Sequence, residues 1–201
     1  QQLRTYRHRL GDDPARDRPV FGYGLNPDIP DGLDLIWVVE VPEGSPMAVA
    51  IAATGVTQAS DFYVAPLADL EKSPVPWRRI ASEADQVSSV AIHGDNLYLL
   101  SFKDAPRSRV LRRSLSDPTA EPSVVVPASQ AVVTSMVAQP DALYVQVMDA
   151  GNYSILRHDH ASGASTTVPV PEPGAALLQG QQAQRPGIHL AMDSWTRSRA
   201  H

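Results

Sequence analysis

The stretch Asp95-Asn96-Leu97-Tyr98 decides the fold, because it recurs 46 positions later as Asp141-Ala142-Leu143-Tyr144. A second pair of segments repeats at nearly the same offset, since Val110-Leu111-Arg112 returns 45 positions later as Ile155-Leu156-Arg157. A period of this length is typical of repeat architectures, in which each repeat is one small unit that cannot bury its apolar surface alone. The fold class therefore follows from what one period contains.

A third, weaker copy of the repeat lies upstream, where residues 47–53, 61–64 and 77–80 take the second, third and fourth strand positions.

The chain has 18 prolines among 201 residues, and they fall between short apolar segments, which leaves little room for helices. These segments are rich in β-branched and aromatic residues, as strands are. Strands are predicted at 35–39, 62–64, 90–92, 97–100, 124–126, 143–145 and 154–156. Turn signals at 31–32, 93–96 and 161–163 separate them.

About four strands per period, recurring every 45 residues or so, are typical of a β-propeller blade. A single twisted sheet cannot bury both of its faces, whereas blades stacked around an axis cover one another. We therefore predict an all-β chain that forms one partial β-propeller domain of four-stranded antiparallel blades. Residues 1–201 would hold three nearly complete blades, at about 33–80, 87–127 and 132–171, and two partial ones, at 1–23 and 175–201.

Charge and composition exclude several functions. The net charge of −5 comes from acidic and basic residues mixed along the chain, which argues against nucleic acid and anionic membranes as partners. Cysteine is absent, so disulfides and thiolate zinc sites are excluded, while the compartment stays open. The longest apolar run, 47–53, is far shorter than the roughly 20 residues of a membrane-spanning helix. The chain starts at Gln1 without methionine or a signal core, which suggests that its true N-terminus is missing or was removed.

Serine-peptidase chemistry needs a nucleophile on a G-x-S-x-G turn together with a histidine base and an acid. The sequence contains no such pentapeptide. The nearest segment, 163–167, lacks the second glycine and falls in a predicted hairpin, so Ser165 is interpreted as a turn serine. No catalytic residue is predicted in this chain.

Two histidines are the best candidates for metal ligands. His158 and His160 would share one face of a strand, because side chains alternate with period two. A third ligand could come only from His93 or His189 through remote folding, and residues 159–163 fit a hairpin. We therefore predict no metal site and no cofactor.

Two acidic pairs and a set of aromatic residues could suggest function, but structural roles explain them better. The acidic pairs Glu40 with Glu43 and Asp12 with Asp13 lie among prolines and glycines, so we expect solvated carboxylates in loops. Five aromatic residues could suggest a carbohydrate platform, but their recurrence at equivalent strand positions favours packing between blades. They are Trp37, Tyr63, Trp77, Tyr98 and Tyr144.

Three segments resemble the propeller of prolyl oligopeptidase-type enzymes. Residues 4–14, followed by Asp17 and Val20-Phe21, are similar to that family's "YRHxLGTDPxxDxxVF" stretch. Residues 60–67 resemble its "DLYVADL" strand, and residues 194–197 are similar to its "GWTRP" segment. Because these motifs keep the family's order from about residue 4 to residue 197, the resemblance covers almost the whole chain.

The resemblance implies a seven-bladed propeller that caps an α/β-hydrolase domain and admits short peptides. The chain would be the gating, size-filtering portion of a serine peptidase, with its first blades missing upstream and the hydrolase domain missing downstream. Its partners would be that catalytic domain and a short peptide substrate, and it should be inactive alone. An alternative to the peptidase interpretation is that the chain is a stand-alone propeller-like module that binds a protein or peptide. A propeller lyase or glycosidase lacks a convincing acid–base pair. Open blade faces would favour self-association.

The family places part of its peptide site on a propeller loop after a second strand, where an arginine contacts the substrate. Aligning residues 61–67 with the family's strand puts that loop at 53–57, with Ala53 at the arginine position. The missing guanidinium puts proline specificity in doubt, because it removes a donor for a peptide carbonyl. The predicted substrate-facing residues are Thr54, Gly55, Val56 and Thr57.

Overall fold

The computed structural model describes most of the chain and divides it into two compact units, residues 1–87 and residues 88–201. The regular structure of the described part consists of strands and three short 3₁₀ turns. No helix among these residues has the length and apolar character that crossing a membrane requires. The described residues are 3–26, 35–42, 44–54, 57–117, 119–170, 174–180, 186–194 and 197–200.

The first unit holds a two-stranded sheet and a four-stranded sheet, both antiparallel. Sheet 1 contains β1 (Arg4–Arg7) and β2 (Arg18–Gly22). Sheet 2 contains β3 (Leu35–Glu40), β4 (Met47–Thr54), β5 (Ser60–Pro66) and β6 (Arg78–Ala81). The 3₁₀ turns of this unit span Pro14–Arg16, Leu67–Glu71 and Glu83–Asp85.

The second unit holds two four-stranded sheets and one three-stranded sheet. Sheet 3 contains β7 (Val87–His93), whose first residue closes the first unit, β8 (Asn96–Ser101), β9 (Arg109–Ser114) and β10 (Ser123–Val126). Sheet 4 contains β11 (Val132–Ala138), β12 (Ala142–Asp149), β13 (Asn152–Asp159) and β14 (Ser165–Val168). Sheet 5 contains β15 (Ala175–Gly180), β16 (Ile188–Ser194) and β17 (Arg197–Ala200).

Every sheet orders its strands as they follow in the sequence, which is the strand order of a propeller blade. Residues 97–100 lie in β8 and residues 143–145 lie in β12, the second strands of sheets 3 and 4. The repeat therefore places equivalent segments in equivalent strands. The predicted all-β fold of four-stranded antiparallel blades is confirmed.

Sheets 1 and 2 pack through an aromatic cluster. Phe21 is fully buried, and its ring centroid lies 5.4 Å from those of both Tyr63 and Trp77. The indole Nε1 of Trp77 donates a hydrogen bond to the carbonyl oxygen of Val20 at 2.7 Å, which satisfies the buried donor. Small residues on one face of β4 complete this core because alternate positions point to the same side: Ala48, Ala50 and Ala52.

The aromatic residues of the second unit also pack between sheets. Tyr98 of sheet 3 lies in one core with Leu143 and Val145 of sheet 4. Tyr144 of sheet 4 packs with Leu178 of sheet 5 in another. Interblade packing thus accounts for Tyr63, Trp77, Tyr98 and Tyr144, while the side chain of Trp37 lies outside the described residues.

Two details differ from the sequence-based expectations. Tyr63 lies on a third strand, whereas Tyr98 and Tyr144 lie on second strands, so these aromatic positions are not equivalent. Glu40 is the last residue of β3 and does not lie in a loop, because the apolar run 35–39 carries the pairing one residue further, where Glu40 opposes Val49. The other acid of that pair, Glu43, lies outside the described residues, as does the predicted turn at 31–32.

Candidate functional site

The predicted substrate loop joins β4 to β5, the second and third strands of sheet 2. Thr54 ends β4, and its side chain lies outside the described part, as do Gly55 and Val56. Thr57 is exposed, and its hydroxyl donates a hydrogen bond to the carbonyl oxygen of Ala59 at 3.0 Å. At the other end, Ala53 opposes Ser60 in the ladder, so the loop begins and ends on paired strands.

Asp61 anchors the chain just after this loop. Its carboxylate accepts hydrogen bonds from the backbone N–H of Glu83 at 2.6 Å and from the Tyr63 hydroxyl at 3.4 Å, and the Arg79 guanidinium lies 4.0 Å away. Burial and, second to it, the neighbouring Asp61 charge raise the pKa of Tyr63 to about 12. The phenol therefore stays protonated at neutral pH and serves as a fixed donor.

A similar anchor recurs in sheet 4. The Asp141 carboxylate accepts hydrogen bonds from the Tyr144 hydroxyl at 2.7 Å and from the backbone N–H of Gly187 at 3.0 Å, and it pairs with Arg157 at 3.4 Å. Burial acts to raise the pKa of Asp141, but these hydrogen bonds and the Arg157 charge outweigh it and lower the pKa. Structural partners thus hold both carboxylates in place.

Ser165 lies on β14, with its Oγ 3.0 Å from Nδ1 of the buried His158. A serine and a histidine at this distance resemble part of a catalytic triad, in which a carboxylate orients the other ring nitrogen. No carboxylate of the described residues is hydrogen-bonded to His158. Burial and the Arg112 charge lower the pKa of His158, which opposes the imidazolium a general base must form. The geometry is that of a packed strand pair.

His160 follows β13 and is fixed by contacts that the sequence did not predict. Its Nδ1 lies 2.7 Å from the Tyr98 hydroxyl, and its Nε2 lies 2.9 Å from the carbonyl oxygen of Gln139. Because a carbonyl only accepts, Nε2 carries the proton and Tyr98 donates to Nδ1. The His93 ring stacks on His160 at a centroid distance of 3.8 Å. No sequence signal links positions 93, 98 and 160, which come together only when sheets 3 and 4 pack.

The two candidate metal ligands serve separate structural roles. Both nitrogens of His160 are engaged, and His158 faces Ser165. Among the residues that the structure describes, no three His, Asp or Glu side chains form a group able to hold a metal ion.

A family model described as "Prolyl oligopeptidase, N-terminal beta-propeller domain" matches residues 1–197. The chain belongs to this family. The match covers all but the last four of the 201 residues. No curated protein matches the sequence at a significant level.

Solved structures of prolyl oligopeptidases share the fold. One, from a study of two prolyl endopeptidases and inter-domain dynamics, is 23% identical, with a TM-score of 0.77 over 98% of this chain and 28% of its own. Apo prolyl oligopeptidase B from Galerina marginata is 18% identical, with a TM-score of 0.78 over 96% of this chain and 27% of its own. Oligopeptidase B from Trypanosoma brucei with covalently bound antipain is 14% identical, with a TM-score of 0.75 over 96% and 28%.

The chain therefore spans little more than a quarter of the length of these enzymes. At identities of this size the comparison concerns fold alone, and the resemblance read from the sequence motifs is confirmed at the level of the family.

Proposed function

We propose that this chain is the gating and size-filtering propeller portion of a prolyl oligopeptidase-like serine peptidase that acts on short peptides. The observation that carries the proposal is the match of residues 1–197 to the family's propeller domain. An α/β-hydrolase domain outside these 201 residues would supply the nucleophile, base and oxyanion hole. The propeller would restrict which peptides reach them.

Peptide substrates are supported by the relatives. Prolyl oligopeptidase B from Galerina marginata is known in complexes with a 35mer hydrolysis and macrocyclization substrate. In the present chain the loop of Thr54, Gly55, Val56 and Thr57 would face the peptide. With Ala53 at the family's arginine position, the loop offers backbone groups and small side chains, so we expect weak selection for proline.

The absence of catalysis in the isolated chain is directly testable. The purified chain should neither hydrolyse proline-containing chromogenic peptides above buffer nor react with a fluorophosphonate probe, because it lacks a nucleophile elbow and an oxyanion hole. Ser165→Ala is the decisive variant. Labelling of the parent chain that this substitution abolishes would contradict the proposal and make the Ser165–His158 pair catalytic.

Gating is tested by joining the chain to its hydrolase domain in the full-length enzyme. The enzyme should show kcat/KM values that fall steeply with peptide length, whereas the hydrolase domain alone should not. Ala53→Arg should lower KM for prolyl peptides by about tenfold through one charge-assisted hydrogen bond. Ala161→Arg, on an exposed turn of sheet 4, is the matched control. Identical length profiles with and without the propeller would favour a stand-alone interaction module.

The first and last sheets would drive self-association of the isolated chain. Tyr6 of sheet 1 and Leu177 of sheet 5 are about half exposed, although Phe21 and Leu178 of the same sheets are buried in sheet-to-sheet cores. In a complete propeller the free faces of such sheets would be covered by further blades. In the isolated chain a second copy would take their place.

A further inference from the structure

A cavity of about 200 Å³ in the first unit is lined by four arginines. Arg7 and Arg9 come from the end of β1 and the segment after it, and Arg16 and Arg18 come from the 3₁₀ turn and the start of β2. Its apolar lining consists of Val20 and Leu70. None of these residues belongs to the predicted substrate loop.

The pairing of strands β1 and β2 concentrates positive charge. Arg7 lies directly opposite Arg18 in the antiparallel ladder. Like charges at opposed positions destabilise a sheet, so this pairing costs folding free energy that an apolar or mixed pair would not cost. Such conflicts between local preference and fold are expected at functional sites.

The acidic groups around the cavity compensate only part of that charge. Glu71 forms an ion pair with Arg7, and Asp17 lies 2.8 Å from Nδ1 of His8. In the part of the chain that the structure describes, the guanidinium groups of Arg9, Arg16 and Arg18 have no hydrogen-bond or ion-pair partner. Asp12 is the remaining carboxylate in the lining, so positive charge is in excess.

Local hydrogen bonds hold the arginine-bearing segment in place. The Asp13 carboxylate accepts a hydrogen bond from the backbone N–H of Ala15 at 3.0 Å and caps the 3₁₀ turn. The N–H of Arg16 donates to the carbonyl of Asp13 at 2.9 Å, and the N–H of Asp12 donates to the carbonyl of Arg9 at 3.0 Å. The backbone positions of the arginines are thus set before any ligand arrives, which lowers the entropic cost of binding.

We propose that this cavity binds a phosphoryl group, either as free phosphate or as a small phosphate monoester. Guanidinium forks match the geometry of phosphate oxygens and bind them through paired, charge-assisted hydrogen bonds. A phosphate monoester carries about −1.5 to −2 charges at neutral pH, which suits several unpaired guanidiniums better than a single carboxylate does. The volume lies below the ~300 Å³ of typical drug-sized sites, so the ligand is small.

The test is a titration of the 201-residue chain with inorganic phosphate, phenyl phosphate and acetate, followed by NMR of the Val20 and Leu70 methyl groups. Both phosphates should give saturable shifts, and acetate should bind about tenfold more weakly because it carries less charge. Tighter binding of phenyl phosphate than of phosphate would assign the site to monoesters, and the reverse would assign it to the free ion. Equal binding of acetate would overturn the phosphoryl assignment.

Variants distinguish a built site from general electrostatic attraction. Arg16→Gln and Arg18→Gln should each raise the phosphate Kd by about tenfold, since each removes a charged donor. Glu71→Gln frees Arg7 and should lower the Kd, an effect that partial unfolding cannot produce. Arg78→Gln, an exposed arginine outside the lining, is the matched control. Equal effects of Arg18→Gln and Arg78→Gln, or no saturable shift at about 20 mM phosphate, would overturn the proposal.

Discussion

Gly22, the last residue of β2, lies where a side chain would not fit. Its φ of +128° is a conformation that side chains with a Cβ rarely adopt, and a Cβ there would lie 2.8 Å from the carbonyl oxygen of Leu3 and 2.9 Å from Cα of Arg4. Both atoms belong to backbone, so neither can turn away. Glycine is therefore required at this position, which lies opposite Arg4 in sheet 1.

Gly22→Ala should lower the free energy of unfolding by about 2–4 kcal/mol, because it adds a steric clash to an unfavourable φ. Gly11→Ala is the matched control, since Gly11 also has a positive φ of +94° but has open space around its Cβ position. Urea unfolding of both variants measures the difference. Equal losses would show that the φ angle alone accounts for the cost.

The imidazoles of sheet 4 give stability a defined pH dependence. Burial lowers the pKa of His158, with the Arg112 charge adding to it, and burial lowers the pKa of His160, with His93 adding to it. Their ordinary pKa is 6.5, so on acidification the unfolded chain takes up protons before the folded chain does. This part of the stability is fully present above that value and is lost as the pH falls below it.

We expect the free energy of unfolding to be constant from pH 8 to about 7 and to fall between about pH 6.5 and 5. Denaturant titrations across this range measure it. The double variant His158→Gln with His160→Gln should flatten the slope, because neither replacement titrates. The lowered pKa of Asp159, at about 2 against an ordinary 3.8, adds its own loss of stability only at lower pH than this range. A slope that survives in the double variant would contradict this assignment.

At the scale of strands and sheets, period and composition were sufficient to predict most of the architecture. Residues 97–100 and 143–145 are predicted to lie in equivalent strands because both begin with the Leu-Tyr of an Asp-x-Leu-Tyr motif that recurs at one offset, and the structure confirms this. Contacts between sheets were not predictable. Tyr98 and His160 are 62 positions apart, and their hydrogen bond depends on how sheet 3 packs on sheet 4.

The candidate sites likewise differ in how far the sequence alone predicts them. Only family resemblance predicts the loop at 54–57 as substrate-facing, since nothing in its composition distinguishes it from other strand connections. The arginine cavity cannot be predicted from the sequence, because it needs the register that places Arg7 opposite Arg18 and a turn that brings Glu71 alongside. Acidic and basic residues are mixed along the sequence, and only the fold brings the arginines together at the cavity.

Gln146 joins neighbouring sheets of the second unit and is itself buried. Its Nε2 donates a hydrogen bond to the carbonyl oxygen of Ala176 in sheet 5 at 2.5 Å, and its Oε1 accepts one from the Ser135 hydroxyl at 2.9 Å. Gln146→Met keeps the volume but leaves both partners unsatisfied, so stability should fall by about 1–3 kcal/mol. Thermal unfolding measures the loss, with the exposed Gln130→Met as control. A cost within about 0.5 kcal/mol of the control would show that the hydrogen bonds of Gln146 do not stabilise the fold.

At the scale of the whole molecule, exposed apolar side chains on or directly beside the first and last sheets predict self-association. Leu3 and Tyr6 are 49% and 53% exposed, and Leu177 is 51% exposed. Light-scattering chromatography should show dimers or larger species, and Leu177→Glu should shift them toward monomer by placing a charge on the free face of sheet 5. Val124→Glu, on β10 of sheet 3, is the control. A monodisperse monomer with a sharp melting transition above about 65 °C would favour the stand-alone module.

The sequential strand order within each sheet has a consequence for biosynthesis. A ribosome adds about 5–20 residues per second, so each repeat of some 45 residues takes seconds to emerge, whereas a hairpin forms in about 1–10 μs. Among the described residues, no sheet pairs with a strand from a later repeat, so pairing within one repeat can finish before the next is translated. Nascent chains stalled after β10 and after β14 should therefore already protect the backbone amides of sheets 3 and 4, respectively, from hydrogen exchange. The polypeptide would then fold vectorially, one sheet at a time, from its N-terminus.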